Sequence, residues 1–441
     1  MSLQRLAAGC VLAGFDGHEP PDWLRRALAD GLGGVCLFAG NVRDDAQVAA
    51  LTAALRAERP ETLVAVDEEG GDVTRLEWER GSSYPGNLAL GAVDDAGLTG
   101  RVAAAIASDL ARAGVSANLA PVADVNSNPR NPVIGVRSFG SDPELVARHV
   151  AAFVGGTQSA GVAACAKHFP GHGDTAQDSH LELPVARPSL EPFRAAIAAG
   201  VRCVMTGHLL VPELDDRPAT LSRRIVGDLL RGELGFDGLV VGDALDMRAL
   251  AAPVGELAAD ALAAGVDALI LGNYSGERAV GEVVDAVVAA VRAGRLAEER
   301  VAEAAARVAG LSRPPAPISA DRSVGVEGAR RAVQGSARVG PDPLVVELVT
   351  AANIAAGEHE HRLLPDARRI RLREGDPPPE LEGEVVLVLR DAARHPWQRD
   401  LAARLPHAVV VETGVPGAPA DVVTYGAGRV NLEVAAERLV Q

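Results

Sequence analysis

From the N-terminus to about Gly310 the chain repeats one cadence: a short apolar run, a polar turn, then an Ala-rich helical stretch. The apolar runs include residues 34–38, 62–66, 117–121, 162–166, 201–205, 238–242 and 267–271. Helical candidates between them are 46–57, 143–154, 190–199 and 277–293. Strands buried on both faces read as unbroken apolar runs, because neither side of the pleat meets water. A strand–helix repeat of this kind dictates a parallel sheet. About eight units in some 300 residues predict an α/β chain closed into a (β/α)8 TIM-type barrel. An open, doubly wound sheet is the rival arrangement. The barrel is preferred because polar side chains follow several different apolar runs, as the mouth of a barrel requires.

Near Ser312-Arg-Pro-Pro-Ala-Pro317 the cadence stops in a proline-rich stretch that reads as a linker. The predicted organisation is a barrel over residues 1–312, a linker over 313–321 and a small α/β sandwich-like domain over 322–441. In the last domain residues 384–389 and 408–412 read as central strands, with a helix at 397–404 and a loop at 374–379. It carries no recognisable chemical motif. Apolar residues make up 48% of the chain but aromatics only 3%, so its cores must be aliphatic.

A formal charge of −16 argues against nucleic acid or an anionic membrane as partner. Cys10, Cys36, Cys165 and Cys203 each sit in an apolar stretch without metal-site spacing, and read as buried, reduced thiols. The first residues lack a basic segment followed by an apolar run and a cleavage site, and no run of about 20 apolar residues occurs. The expectation is a soluble cytoplasmic protein, monomer or homodimer, with no membrane partner.

Four clusters carry chemistry. The densest is Lys167-His-Phe-Pro-Gly-His-Gly-Asp-Thr-Ala-Gln-Asp-Ser-His180, with three histidines, two aspartates and a lysine in 14 residues. Its loop lacks the fixed helical spacing of a zinc hydrolase motif, so no metal and no cofactor are expected. Asp178 and His180, two apart, would project to the same side of an extended backbone, where the carboxylate could hold the imidazole and raise its pKa. The second cluster, Phe236 to Met247, places Asp243 at the end of a buried strand. An ionised side chain there must be hydrogen-bonded or functional. The alternative is a helix N-cap, with Asp246 as an acid in that helix's first turn. The third is Val66-Asp-Glu-Glu-Gly-Gly-Asp-Val-Thr-Arg75, and the fourth a loop from Asn126 to Gly140 that follows Pro121-Val-Ala-Asp124. Neither has the spacing of a phosphate cradle.

Taken together, these stretches resemble glycoside hydrolase family 3, in its bacterial β-N-acetylglucosaminidase branch. The branch-specific string is Lys167-His-Phe-Pro-Gly-His-Gly with Asp178-Ser-His180, and further similarity lies in Val133-Ile-Gly-Val-Arg-Ser-Phe-Gly140, Pro218-Ala-Thr-Leu-Ser222 and Leu229 to Gly238. The resemblance spans about residues 8–310. It implies a retaining β-N-acetylhexosaminidase whose partner is a small carbohydrate, a terminal N-acetylglucosaminide from cell-wall turnover or chitin. It implies Asp243 as nucleophile and His180, oriented by Asp178, as general acid and then base. Asp67, Arg75, Arg137, Lys167 and His168 would bind the substrate, with His208 supporting the pocket. A phosphorylase on the same scaffold is the alternative, because a neutral histidine base repels phosphate less than a carboxylate does. Another family 3 specificity, such as β-glucosidase, or a non-catalytic sugar-binding protein are further alternatives. Three positions depart from the family pattern. Glu68 stands where glutamine is frequent, Asp72 where arginine is, and Gly242 where a hydroxyl residue precedes the nucleophile. The two acids add negative charge beside the sugar-binding turn, which would disfavour an anionic leaving group.

Overall fold

Eight parallel strands follow one another around a closed barrel in chain order: β1 (Val11–Ala13), β2 (Gly34–Leu37), β3 (Leu63–Val66), β4 (Ala117–Asn118), β5 (Ala163–Phe169), β6 (Cys203–Thr206), β7 (Leu239–Gly242) and β8 (Ala268–Leu271). β8 pairs back onto β1, which excludes the open sheet. The computed structural model describes every residue except 180, 251, 273–274, 317–318, 351–354, 358–361, 378–380, 382 and 441. Each apolar run read from the sequence became one of β2 to β8. β1, only three residues long, has too little apolar length to stand out beside the helix Leu3–Ala8. β4 is short because the run reaches Pro121, which has no N–H for the ladder; Val122 resumes with an isolated bridge to Lys167.

Side chains alternate across each strand. Leu12, Cys36, Ala65, Cys165, Cys203, Met205, Val241 and Ile270 fill the barrel interior, while Val11, Val35, Val64, Val204 and Val240 join the core beneath the helices. Small Ala and Cys residues sit beside Leu, Met, Val and Ile inside this barrel. All four cysteines are buried, and burial pushes the Cys10 thiol up to about 12. The expected helices are Asp45–Glu58, Pro143–Ser159, Glu191–Ala198 and Gly276–Arg292. Asp44 and Asp142 cap two of them by accepting backbone N–H groups of the first turn.

Beyond the barrel lie β9 (Gln334–Gly335), β10 (Leu344–Leu348), β11 (Arg368–Leu372), β12 (Val385–Leu389), β13 (Val409–Glu412) and β14 (Val422–Val423). They form one sheet in the order β11-β10-β12-β13-β14-β9, parallel except for β9. β12, β13 and the helix Pro396–Arg404 coincide with the sequence reading; β10, β11 and the helix Arg429–Val440 add to it. One face packs Val345, Val386 and Val411 against Val434 and Leu439 of that last helix; the other packs Val346, Leu387 and Val410 against Leu401. Residues 374–377 form no regular element, and the rest of the expected loop lies outside the described residues.

The two bodies meet over the barrel mouth. The helix Val324–Ala332 packs on both: a Cβ on Gly325 would lie 2.0 Å from the Ser83 carbonyl, while Ala329 belongs to the core of the second sheet. Asp72, on the loop after β3, is ion-paired to Arg390 and accepts the Ala427 N–H at 2.7 Å.

Candidate active site

The chemistry-bearing side chains gather at the C-terminal ends of the barrel strands, the face on which TIM-barrel enzymes build their sites. Asp67 follows β3, Lys167 and His168 lie in β5, His208 follows β6 and Asp243 follows β7. Arg75, Arg137 and Asp178 sit on the loops after β3, β4 and β5.

A buried ionic network joins three of the expected substrate-binding residues. The register of β5 against β6 shifts between Ala166 and Phe169, which breaks strict alternation where Lys167 and His168 emerge. Lys167 Nζ is paired with Asp67 and lies 2.7 Å from Glu69 Oε1. Glu69 also takes Arg137 in a two-pronged grip, Nε to Oε2 at 3.0 Å and Nη2 to Oε1 at 2.8 Å. Burial alone would raise Glu69, but Arg137 and Lys167 outweigh it and hold the carboxyl well below the usual range. Burial would depress Lys167, yet Asp67 and Glu69 raise it. Glu69 and Lys167 therefore hold each other in their charged forms.

His168 and His172 share a different acid. Asp124, fully buried, lies 2.7 Å from His168 Nδ1 and accepts the His172 N–H at 2.7 Å. His208 Nε2 lies 3.0 Å from the Ala244 carbonyl and Nδ1 lies 2.9 Å from Thr220 Oγ1, so it braces the residue next to Asp243.

Asp243 is half-buried; its N–H donates to Thr206 at 3.2 Å, and Oδ1 accepts the Ala244 N–H at 2.8 Å. It caps no helix. The next one, Val254–Ala264, begins behind Pro253. Asp246 is accordingly not a first-turn acid: it accepts the Gly272 N–H and the Ser275 hydroxyl, at 3.0 and 2.8 Å. The Asp178 carbonyl accepts the N–H groups of both Leu181 and Glu182 at 3.0 Å. His180 lies outside the described residues.

Arg75 Nη2 donates to the Ala355 carbonyl at 2.8 Å, and the guanidinium lies over Trp78. Glu68 Oε2 accepts the Arg75 and Leu76 N–H groups, at 2.8 and 2.9 Å. Asp72 is paired to Arg390, while burial outweighs the hydrogen bonds of Glu68 and favours its uncharged form. Sequence reasoning missed Glu69 and Asp124. The signal for Glu69 was its spacing: two residues beyond Asp67 at a strand end, it shares that residue's side and its lysine. Among the described residues, no group of three or more His, Cys, Asp or Glu side chains is placed to hold a metal ion.

Residues 18–311 match the glycosyl hydrolase family 3 N-terminal domain. A beta-hexosaminidase of Thiobacillus denitrificans is 37% identical over 332 residues, 70% of this chain and 88% of that protein. Beta-hexosaminidase A of Pseudoalteromonas piscicida is 36% identical over 330 residues, 66% of this chain but only 55% of that protein. The solved structure of a glycoside hydrolase family 3 beta-N-acetylglucosaminidase from Paenibacillus sp. str. FPU-7 superposes with a TM-score of 0.86 at 33% identity, covering 99% of this chain and 96% of that one. Fold, site and relatives together make this chain a glycoside hydrolase. It belongs to glycosyl hydrolase family 3.

Proposed function

We propose that the chain is a retaining β-N-acetylhexosaminidase of the cytoplasm, removing terminal, non-reducing β-linked N-acetylglucosamine from cell-wall turnover fragments or chitooligosaccharides. The observation that carries this reading is Asp243: a half-buried carboxylate at the end of β7, beside a residue braced by His208, with no helix to cap. Such a carboxylate is set to attack an anomeric carbon. In the first step Asp243 forms the bond to that carbon as the bond to the leaving oxygen breaks, and His180 gives its proton to that oxygen. In the second, His180 takes a proton from water, whose oxygen displaces Asp243. Asp178 orients His180. Asp67, Lys167, His168, Arg75 and Arg137 bind the sugar, and His208 supports the pocket.

The test compares p-nitrophenyl β-N-acetylglucosaminide with the matching β-glucoside, each with and without phosphate. Strong preference for the acetylated sugar, indifferent to phosphate, is expected. A sugar 1-phosphate product would instead make the enzyme a phosphorylase. Asp243→Ala should abolish turnover while leaving the thermal melt unchanged; turnover at the wild-type rate would remove the nucleophile assignment.

A further inference from the structure

One buried imidazole ties down the turn that precedes residue 180. His172 is 1% exposed, and both of its ring nitrogens have partners: Nδ1 lies 2.8 Å from Thr175 Oγ1 and Nε2 lies 2.9 Å from Ser179 Oγ. Its main chain is fixed as well. The N–H donates to Asp124, and the carbonyl accepts from Asn131 Nδ2 at 2.8 Å. Asn131 is itself locked, because its Oδ1 accepts the N–H groups of Val133 and Ile134. Asn128 Nδ2 holds the next stretch by donating to the Asp174 and Thr175 carbonyls.

Burial brings His172 down to about 4, so at neutral pH the ring has one N–H and one lone pair. The Thr175 hydroxyl donates to the His172 carbonyl at 3.1 Å, and its oxygen lies 3.2 Å from Asn131 Nδ2. Its oxygen therefore accepts from Asn131 and from Nδ1–H, leaving the Nε2 lone pair for the Ser179 hydroxyl. With both nitrogens engaged, His172 is no rival to His180 as a proton donor. Ser179, adjoining His180 in the chain, is instead bonded to a ring anchored on the barrel.

We propose that His172 and Ser179 are positioning residues for proton transfer: the hydrogen bond between them fixes the backbone next to His180 and so sets where its proton is delivered. The inference rests on His180 being the acid/base. Proton transfer depends steeply on placement, a shift of about 1 Å costing on the order of 100-fold.

Ser179→Ala removes the bond with little disturbance of packing. Its kcat on chitobiose, whose leaving group needs protonation, should fall about tenfold or more, while kcat on p-nitrophenyl β-N-acetylglucosaminide should stay within about threefold. The basic limb of its kcat/KM–pH profile should shift, and Ser179→Thr should restore the wild-type ratio of the two substrates. Equal losses on both substrates, or no loss on either, would overturn the inference. His180→Ala, measured in parallel, separates the two claims. Selective loss there without selective loss in Ser179→Ala defeats the positioning role alone. Equal loss on both substrates in His180→Ala defeats the acid/base reading and the inference with it.

Discussion

Glu68 pairs a glutamate with an environment that suits an uncharged side chain. Its carboxylate is buried, and although two backbone N–H groups and the Thr74 hydroxyl favour the charged form, burial outweighs them and pushes the group up to about 7. The folded state therefore holds this proton more tightly than the unfolded chain, where the value is 4.5. The stability linked to it is fully present below pH 4.5 and is lost as pH rises through 7. Glu68→Gln keeps an oxygen for both N–H groups and removes the titration. At pH 8 the variant should be more stable than wild type by on the order of 2–3 kcal/mol, the gap closing towards pH 5. Urea melts at the two pH values measure this. A variant less stable than wild type at pH 8 would mean that the ionised carboxylate is preferred in place. Glu412, also raised to about 7 by burial, is unchanged in this comparison and contributes equally to both proteins.

Among the elements, the loops after β3 and β4 are joined by Glu69. It satisfies Arg137 from one loop and Lys167 from β5, so the three segments that carry expected sugar contacts are set against one another by one carboxylate. Removing one partner of such a buried group leaves the others uncompensated, which costs about 3–5 kcal/mol. Glu69→Gln should lower stability by that order and reduce kcat/KM about tenfold or more, as chemical denaturation and steady-state kinetics on the aryl N-acetylglucosaminide would show. Wild-type stability would mean that Asp67 alone balances the two cations. This network also marks where the sequence stopped being legible. β2 to β8 and the four helices at 45–58, 143–159, 191–198 and 276–292 could be read because hydrophobic periodicity is a local property. Asp67, Lys167, Arg137 and Asp243 could be read because they belong to strings shared with a family. Glu69 gave only its spacing from Asp67 as a signal and Asp124 gave none, since their partners Arg137 and His168 lie 68 and 44 residues away and only closure of the barrel brings them together.

Across the whole molecule, the second sheet bears on the loop that carries the site. The turn after β3 holds Asp67, Glu69 and Arg75, and the same turn meets the C-terminal body at three points. Asp72 pairs with Arg390 and accepts the Ala427 N–H, Arg75 reaches the Ala355 carbonyl, and Gly428 packs so close to Gly71 that a Cβ would lie 2.8 Å from its Cα. A second bridge, from Arg394 to the Asn131 carbonyl at 3.3 Å, reaches the loop after β4. The C-terminal body carries no motif of its own, yet it grips the loops whose geometry the chemistry depends on. Arg390→Ala tests this, because it removes a cation that pairs with the buried Asp72. Calorimetry should show stability lower by about 3–5 kcal/mol, with unfolding split into two transitions as the bodies uncouple. The activity loss should fall mainly on KM, since the loosened turn carries Asp67 and Arg75, which we propose bind the sugar, and leaves Asp243 untouched. Restoring charge balance with Asp72→Asn in the same chain should recover part of the stability, because a neutral amide can still meet the Ala427 N–H. If Arg390→Ala instead unfolds in one transition with wild-type KM, the barrel organises its own mouth and the second body only covers it.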